Sequence, residues 1–138
     1  LNVQVMQILY NRLQREAENG ILPLCRELDL GVITRVPLAS GLLSGKYKSA
    51  NSFPDNDVRA HYPRTEVEEM LREMETVQRD ELPEGMFLSS WALAWCLKHP
   101  AVSCLIPGCK SVQQVLQNAQ SAELLEEAHP QDLPYNPE

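Results

Sequence analysis

The sequence lacks the long apolar runs and the excess of positive charge that mark two large classes of protein. No apolar run approaches the roughly 20 residues that a membrane-spanning helix needs. The 138 residues carry 12 Lys and Arg against 19 Asp and Glu, for a net charge of −7. Because a nucleic-acid backbone is bound by clustered cations, we expect neither a membrane protein nor a general nucleic-acid binder.

Metal-ligand spacing is also lacking. The four cysteines form no Cys-x-x-Cys pair and the three histidines are scattered, so zinc binding is not predicted. Cys25, Cys96 and Cys104 lie within apolar patterns, which predicts buried thiols in a reducing compartment, and we expect a cytoplasmic protein. Cys109 lies in a glycine turn with no base beside it in sequence, so we interpret it as a tolerated small residue and not as a nucleophile.

What the sequence does contain is typical of one globular domain with a real core. Its hydrophobic fraction is 43% and its charged fraction is 22%. The sequence begins at Leu1, close to a predicted strand, with neither an initiator Met nor a recognisable signal peptide. We therefore expect it to be a fragment of a longer protein.

The apolar pattern predicts a parallel α/β fold. Residues 3–9 and 32–36 are short runs rich in β-branched and apolar residues, which predicts strands. Residues 21–28 between them have apolar residues at helical spacing, which predicts a helix. Gly31 stands where a glycine that ends the helix is expected. A strand, a helix and a strand within about 35 residues form a βαβ unit with parallel strands. Residues 102–106 predict a third strand.

Two further helices are predicted before that third strand. Thr65 and Glu68 have the spacing of a capping box, and the apolar stripe that follows them predicts core packing. Residues 87–97 are apolar almost all round and contain two tryptophans, which predicts a helix buried on several sides. The acidic, proline-bearing residues 129–138 are predicted to form a loose tail.

The glycine turn and helix at residues 104–118 combine features that suit an anion. Ser111 and Gln114 have capping-box spacing, Lys110 adds a cation, and no acidic residue occurs between Glu84 and Glu123. Exposed N–H groups and the helix dipole at such a start favour phosphate. The same pattern also describes an ordinary capped helix, which the local physics alone favours.

The segment after the second strand also indicates a ligand. Residues 37–47 are rich in small residues that let a ligand approach the backbone, and they include leucines that indicate a packed loop. Residues 48–63 form a long polar loop, and long ordered loops inside compact domains are often functional.

Several short motifs follow one another along the chain: Gln7-x-x-Tyr10-Asn11, residues 31–47, Ala92-Leu-Ala-Trp95, Ile106-Pro-Gly-Cys-Lys-Ser111 and Gln117-Asn118. In their order and spacing they resemble the C-terminal portion of an aldo-keto reductase. The resemblance implies a (β/α)8 TIM barrel, of which residues 1–128 would supply the last three parallel strands with their helices and one long loop.

The resemblance implies NADP(H) bound in an extended pose at the C-terminal ends of the strands. Many members carry Arg near Gln114; here Lys110 is the main cation, and NAD stays an alternative. By resemblance the cofactor would contact Gln7 and Arg35 at the nicotinamide, Leu38, Ser40, Gly41 and Leu43 at the pyrophosphate, Gly108, Lys110, Ser111 and Gln114 at the 2′-phosphate, and Gln117 and Asn118 at the adenine.

The family reduces carbonyls with an Asp, Tyr, Lys and His tetrad in the first half of its barrel. No position of this chain matches the tetrad, so we nominate no catalytic residue and expect no reductase activity from this chain alone. The carbonyl substrate, which the sequence does not identify, would need the missing half. Two alternatives remain: a non-catalytic nucleotide-binding module, and a structural product that self-associates through open sheet edges and binds nothing.

Overall fold

The computed structural model describes residues 2–50 and 53–126, so the predicted tail at 129–138 lies outside the described residues. The described residues form a three-stranded sheet in the order β1-β2-β3, and both strand pairs are parallel. The parallel α/β architecture predicted from the sequence is confirmed. The strands are β1 (Val5–Leu9), β2 (Gly31–Arg35) and β3 (Cys104–Ile106).

Four α-helices in the described part of the chain connect and cover the strands. The first, α1, crosses from β1 to β2, and its proline is tolerated because it lies in the first turn. Short 3-10 helices at Glu16–Asn19, Val58–His61 and Ser121–Glu126 lie within the connections, and Ala39–Ser44 is a 3-10 segment broken by a kink at Ser40 and Gly41. The α-helices are α1 (Ile21–Glu27), α2 (Arg64–Asp80), α3 (Leu88–Leu97) and α4 (Val112–Gln120).

The buried core is shared by strands β1 and β2 and by helices α1, α2 and α3. Helix α3 is buried on all sides, as its sequence predicts, and Trp91 and Trp95 are almost fully enclosed. Helix α2 contributes a buried stripe that includes Leu71, Met74 and Val77. Fully burying side chains of this size contributes roughly 1.5–3 kcal/mol each, so α2 and α3 supply much of the apolar burial that stabilises the fold.

Two predicted helix ends are wrong. Helix α2 begins at Arg64 after Pro63, without a side-chain cap, so Thr65 lies inside the helix. Glu68 instead accepts a hydrogen bond from the side chain of Arg64, at 2.7 Å. Gly31 does not end α1, because it is already the first residue of β2.

Several apolar side chains are exposed on the described residues. The face of α4 that the sequence predicts to be apolar is open, with Val112 77% and Leu116 59% exposed. On the outer strands Val5 and Ile106 are about half exposed. Cys104 on β3 is also exposed, so the prediction of a buried thiol there is wrong: the pattern is apolar, but none of the described residues covers that face. No described helix is both long and apolar enough to span a bilayer.

Candidate functional site

The candidate site lies at the edge of the sheet where all three strands end. The Cα atoms of Leu9 and Arg35 are partners across β1 and β2, and those of Arg35 and Ile106 are partners across β2 and β3. The segments that follow β2 and β3 therefore leave the sheet at the same edge. These segments are the turn at residues 36–45, hereafter the β2 turn, and residues 107–111 before α4.

The β2 turn has an unusual backbone. Val36, Ala39 and Ser40 have φ angles of 55°, 47° and 53°, and Gly41 has 88°. Positive φ is common for glycine but costly for residues with a Cβ atom, and a β-branched residue there is an outlier. The turn therefore depends on contacts from the surrounding structure, and strained backbone of this kind clusters at ligand sites.

Hydrogen bonds within the turn contribute to its shape. The N–H groups of Gly41 and Leu43 both donate to the carbonyl of Leu38, at 2.8 and 3.2 Å. The hydroxyl of Ser44 donates to the carbonyl of Gly41 at 2.6 Å. The side chain of Leu43 is fully buried. Leu43 therefore anchors the turn in the core, which leaves Leu38, Ser40 and Gly41 as the more accessible of the four residues predicted to cover the pyrophosphate.

Asn11, two residues after the end of β1, ties the first strand to the turn. Its side chain is fully buried, and its Nδ2 donates to the carbonyl of Val36 at 3.0 Å. The same Nδ2 donates to Gln14 Oε1, and Asn11 Oδ1 accepts the N–H of Leu13, both at 3.0 Å. The sequence placed Asn11 in a motif but assigned it no role.

The start of α4 is capped largely as the sequence predicts. Ser111 Oγ accepts the N–H of Gln114 at 3.2 Å. The side chain of Gln114 accepts the N–H of Lys110 at 2.6 Å, so it reaches one residue before the cap. Lys110 itself is exposed. Its charge acts on Asp57 of the long loop. Hydrogen bonds from Arg59 first, and the charge of Lys110 more weakly, hold the pKa of Asp57 far below its usual range.

The open face of the sheet carries the two residues predicted for the nicotinamide. Gln7 and Arg35 are both exposed, on neighbouring strands two residues apart in register. Arg35 also lines a cavity of about 310 Å³ at the strand ends. The other walls of this cavity include Leu9, Ser40, Tyr62, Glu66 and Met70, from β1, the β2 turn, the long loop and α2.

The two residues predicted for adenine lie further from this edge, on the last turns of α4. Both Gln117 and Asn118 are half-buried. The amide of Gln117 donates to Ser90 Oγ on α3 at 3.4 Å, beside a cavity of about 450 Å³ between α3 and α4. The structure therefore groups Gln7, Arg35 and the β2 turn at one end of the site, with the α4 start and these amides toward the other.

Comparison with known proteins identifies the architecture. The model of the Aldo/keto reductase family matches residues 1–131 of the 138. The chain belongs to the aldo-keto reductase family. The holo form of an aldo-keto reductase from Bacillus halodurans superimposes with a TM-score of 0.64 and 28% identity, over 93% of this chain and 38% of that one. The three parallel strands and their helices therefore form an open part of a TIM barrel, as the sequence resemblance implied.

Curated relatives agree with this assignment. The chain is 32% identical, over 127 residues, to a probable voltage-gated potassium channel subunit beta from rice, Oryza sativa subsp. japonica. It is 30% identical, over 122 residues, to the Schizosaccharomyces pombe aldo-keto reductase yakc, whose name specifies NADP(+). These alignments cover 88% and 84% of this chain but 39% and 36% of the relatives. The chain therefore spans less than two fifths of the length of these two relatives.

None of the tyrosines at the site has the surroundings of a general acid. Tyr10 lies in the core, where burial and its 2.6 Å hydrogen bond to Glu18 raise the pKa of its hydroxyl far above the usual range. The hydroxyl of Tyr47 accepts a hydrogen bond from Arg59, and that of Tyr62 pairs with Ser40 Oγ at 3.2 Å. Within residues 2–50 and 53–126, no group of three His, Cys, Asp or Glu side chains is placed to hold a metal ion.

Sequence reasoning missed a contact that Arg59 of the long loop makes at the candidate site. Its guanidinium reaches back to the β2 turn and donates to the carbonyl of Ser40 at 2.9 Å. The loop was predicted to be functional, but periodicity and composition do not show which of its side chains makes a contact 19 residues away. The only signal in sequence is an arginine among aromatic residues in a loop otherwise rich in Asp, Asn and Pro.

Proposed function

We propose that this chain is the cofactor-binding portion of an NADP(H)-dependent aldo-keto reductase that reduces aldehydes or ketones. The observation that carries the proposal is the convergence of the β2 turn and the α4 start at the carboxyl edge of the parallel sheet. Ligands of barrel enzymes bind at this edge. Family membership supplies the reaction class, and the positions of these segments supply the role of this chain within it.

The residues at the α4 start fit a phosphate group. A Cβ atom built on Gly108 would meet nothing within 4 Å, so a ligand has room to approach the backbone there. The Ser111 hydroxyl accepts the capping N–H and keeps its own proton to donate. The exposed ammonium group of Lys110 and the positive end of the α4 dipole both favour an anion.

We assign the other residues along the same edge. Gln7 orients the nicotinamide through its carboxamide, and Arg35 lies beside it on the open face of the sheet. The β2 turn covers the pyrophosphate, and Gln117 with Asn118 contacts the adenine. When bound, the cofactor supplies the hydride, while this chain's residues bind and orient it. The acid that protonates the carbonyl oxygen lies outside this chain, so we expect no turnover by the chain alone.

The 2′-phosphate decides between NADP and NAD. Lys110 is the cation that we assign to this phosphate, with Ser111 and Gln114 beside it. A charge-assisted hydrogen bond contributes roughly 1.5–3 kcal/mol, or about a tenfold or larger difference in affinity. We therefore expect the chain to prefer NADPH over NADH by about tenfold, with NAD(H) retained as a weaker ligand.

The test is a fluorescence titration with NADPH and with NADH, on the unaltered chain and on Lys110→Ala. The matched control is Lys48→Ala, which removes the same charge from an exposed position that lines a different cavity. We expect saturable NADPH binding that Lys110→Ala weakens about tenfold and that added salt weakens further. NADH binding should change less than threefold in the same variant.

Two results would contradict the proposal. Equal weakening by Lys110→Ala and Lys48→Ala would mean that only net charge matters, so no phosphate site exists at α4. Absence of NADPH binding by the unaltered chain would assign the cofactor site to the longer protein and refute binding by this portion alone.

A second candidate is a non-catalytic module that associates with itself, and a specific observation favours it. Val112, Val115 and Leu116 are 77%, 51% and 59% exposed on one face of α4. Contiguous apolar surface of this kind marks an interaction site or an aggregation liability. Sedimentation of the chain over a hundredfold concentration range tests this candidate, because a monomer throughout the range would exclude self-association.

The chemistry of the cysteines supports a reducing compartment. All four are unpaired, and two of them, Cys104 and Cys109, are exposed. Free thiols on a protein surface persist where disulfides are kept reduced. We therefore propose the cytoplasm as the site of action of this oxidoreductase.

A further inference from the structure

The guanidinium group of Arg59 links the long loop to the β2 turn. Its Nη1 donates to the carbonyl of Ser40 at 2.9 Å, and its Nη2 donates to the hydroxyl of Tyr47 at 2.9 Å. A Cβ atom built on Gly41 would lie 3.2 Å from Nη1, so the guanidinium packs directly against the backbone of the turn. Arg59 therefore contacts the turn where its backbone is left-handed.

The guanidinium is itself held from several sides. Asp57 accepts hydrogen bonds from its Nε and Nη2, at 2.8 and 2.6 Å. The guanidinium carbon lies 4.2 Å from the ring centroid of Tyr47 and 4.5 Å from that of Phe53, within the range of cation–π contacts. The side chain is only 12% exposed. Because each partner restricts the guanidinium, it presents its remaining donor to Ser40 in a fixed direction.

The turn requires such a partner. Ala39 and Ser40 both have positive φ angles although both carry a Cβ atom. Conformations of this kind persist where surrounding contacts over-determine them. A second contact from the long loop falls on the same residue, because the hydroxyl of Tyr62 lies 3.2 Å from Ser40 Oγ.

We propose that Arg59 is a positioning residue for the cofactor: it holds the β2 turn in the left-handed conformation that receives the pyrophosphate and fastens the long loop over that turn. The inference rests on the proposed function, because that function assigns the pyrophosphate to this turn. Arg59 acts through the carbonyl of Ser40 and need not touch the cofactor itself. Loss of Arg59 therefore acts first on the turn and only through it on the cofactor.

The test combines hydrogen exchange with cofactor release on Arg59→Gln. Arg64→Gln is the matched control, because the Arg64 side chain is 67% exposed and pairs with Glu68 on its own helix. Arg59→Lys keeps the charge but loses the forked donors and the planar stacking. In Arg59→Gln we expect amide exchange of Gly41 and Leu43 to accelerate at least tenfold, while exchange in α2 and α3 stays unchanged.

The release rate of NADPH provides the functional readout. We expect it to rise about tenfold in Arg59→Gln and severalfold in Arg59→Lys, with no change in Arg64→Gln. Millimolar guanidinium, far below denaturing concentration, should restore slow release to Arg59→Ala and leave Arg64→Ala unaffected.

The exchange data keep this inference separate from the proposed function. Suppose that neither the unaltered chain nor any variant binds NADPH, but amide exchange at Gly41 and Leu43 still accelerates in Arg59→Gln. The proposed function then fails, while the role of Arg59 in positioning the turn stands. Unchanged exchange at these two amides in Arg59→Gln overturns the inference, and so does acceleration that is equal in the turn and in α2.

Discussion

The hydrogen bonds of Asn11 predict that replacing its side-chain NH2 group by an oxygen, as in Asn11→Asp, will destabilise the chain. Asn11→Asp preserves the size and shape of a fully buried side chain but replaces its donor with an acceptor. The carbonyl of Val36, 3.0 Å from Nδ2, then faces a carboxylate oxygen. The amide of Gln14 can turn to present its NH2 group, but the carbonyl of Val36 belongs to the backbone and cannot.

The magnitude follows from this difference. The lost hydrogen bond to Val36 contributes about 1 kcal/mol, and an uncompensated buried polar group costs a further 1–3 kcal/mol. We therefore expect Asn11→Asp to lower the free energy of unfolding by about 3 kcal/mol at pH 7. Urea unfolding measures this quantity. Asn19→Asp, the same chemical change at an exposed position, should lower it by less than about 0.5 kcal/mol.

The pH dependence gives the sharper test. Burial and the facing carbonyl disfavour the charged form, so the pKa of the new carboxyl in the folded chain lies above its value in the unfolded chain. The protonated group can donate to Val36 again. The loss of stability should therefore be smallest below the unfolded pKa of about 3.9 and should grow as pH rises through the folded pKa. A loss that is constant or larger in acid would refute this account, as would a loss below 0.5 kcal/mol at pH 7.

Two further predictions concern titratable groups elsewhere in the fold. Burial raises the pKa of the Cys96 thiol, and Cys25 is also buried. A thiol reagent should therefore modify two cysteines in the native chain and all four in urea. Rapid modification of all four in the native chain would contradict the burial of Cys25 and Cys96. Burial lowers the pKa of His99, whose Nδ1 accepts the N–H of Ala101 at 3.2 Å. Neutral His99 therefore stabilises the folded chain above the unfolded pKa of about 6.5, and this stabilisation is lost as pH falls through the lower folded pKa. Urea unfolding between pH 7.5 and 5 should show a smaller loss of stability in His99→Gln than in the unaltered chain.

Regular elements were predictable because their signals are local and repeated. The buried helix α3 follows from apolar residues on every side, and the parallel strands follow from a crossover of about 35 residues. Helix ends were less predictable because two residues after α1, Asp29 and Gly31, can each supply the left-handed conformation that ends a helix. The chain after α1 turns through Asp29, at a φ of 52°, so Gly31 is not needed as the terminator. Aspartate tolerates this conformation better than most residues.

The site divides in the same way between what local sequence determines and what it does not. The Ser111 cap depends on residues three positions apart, and the sequence predicted it. The shape of the β2 turn depends on Asn11 and Arg59, which lie 25 and 19 residues from the carbonyls that they hold. These two contacts approach the turn from opposite directions along the chain, one from the end of β1 and one from the long loop. A turn whose own residues disfavour its conformation must take its shape from such distant partners, so its residues alone could not have predicted it.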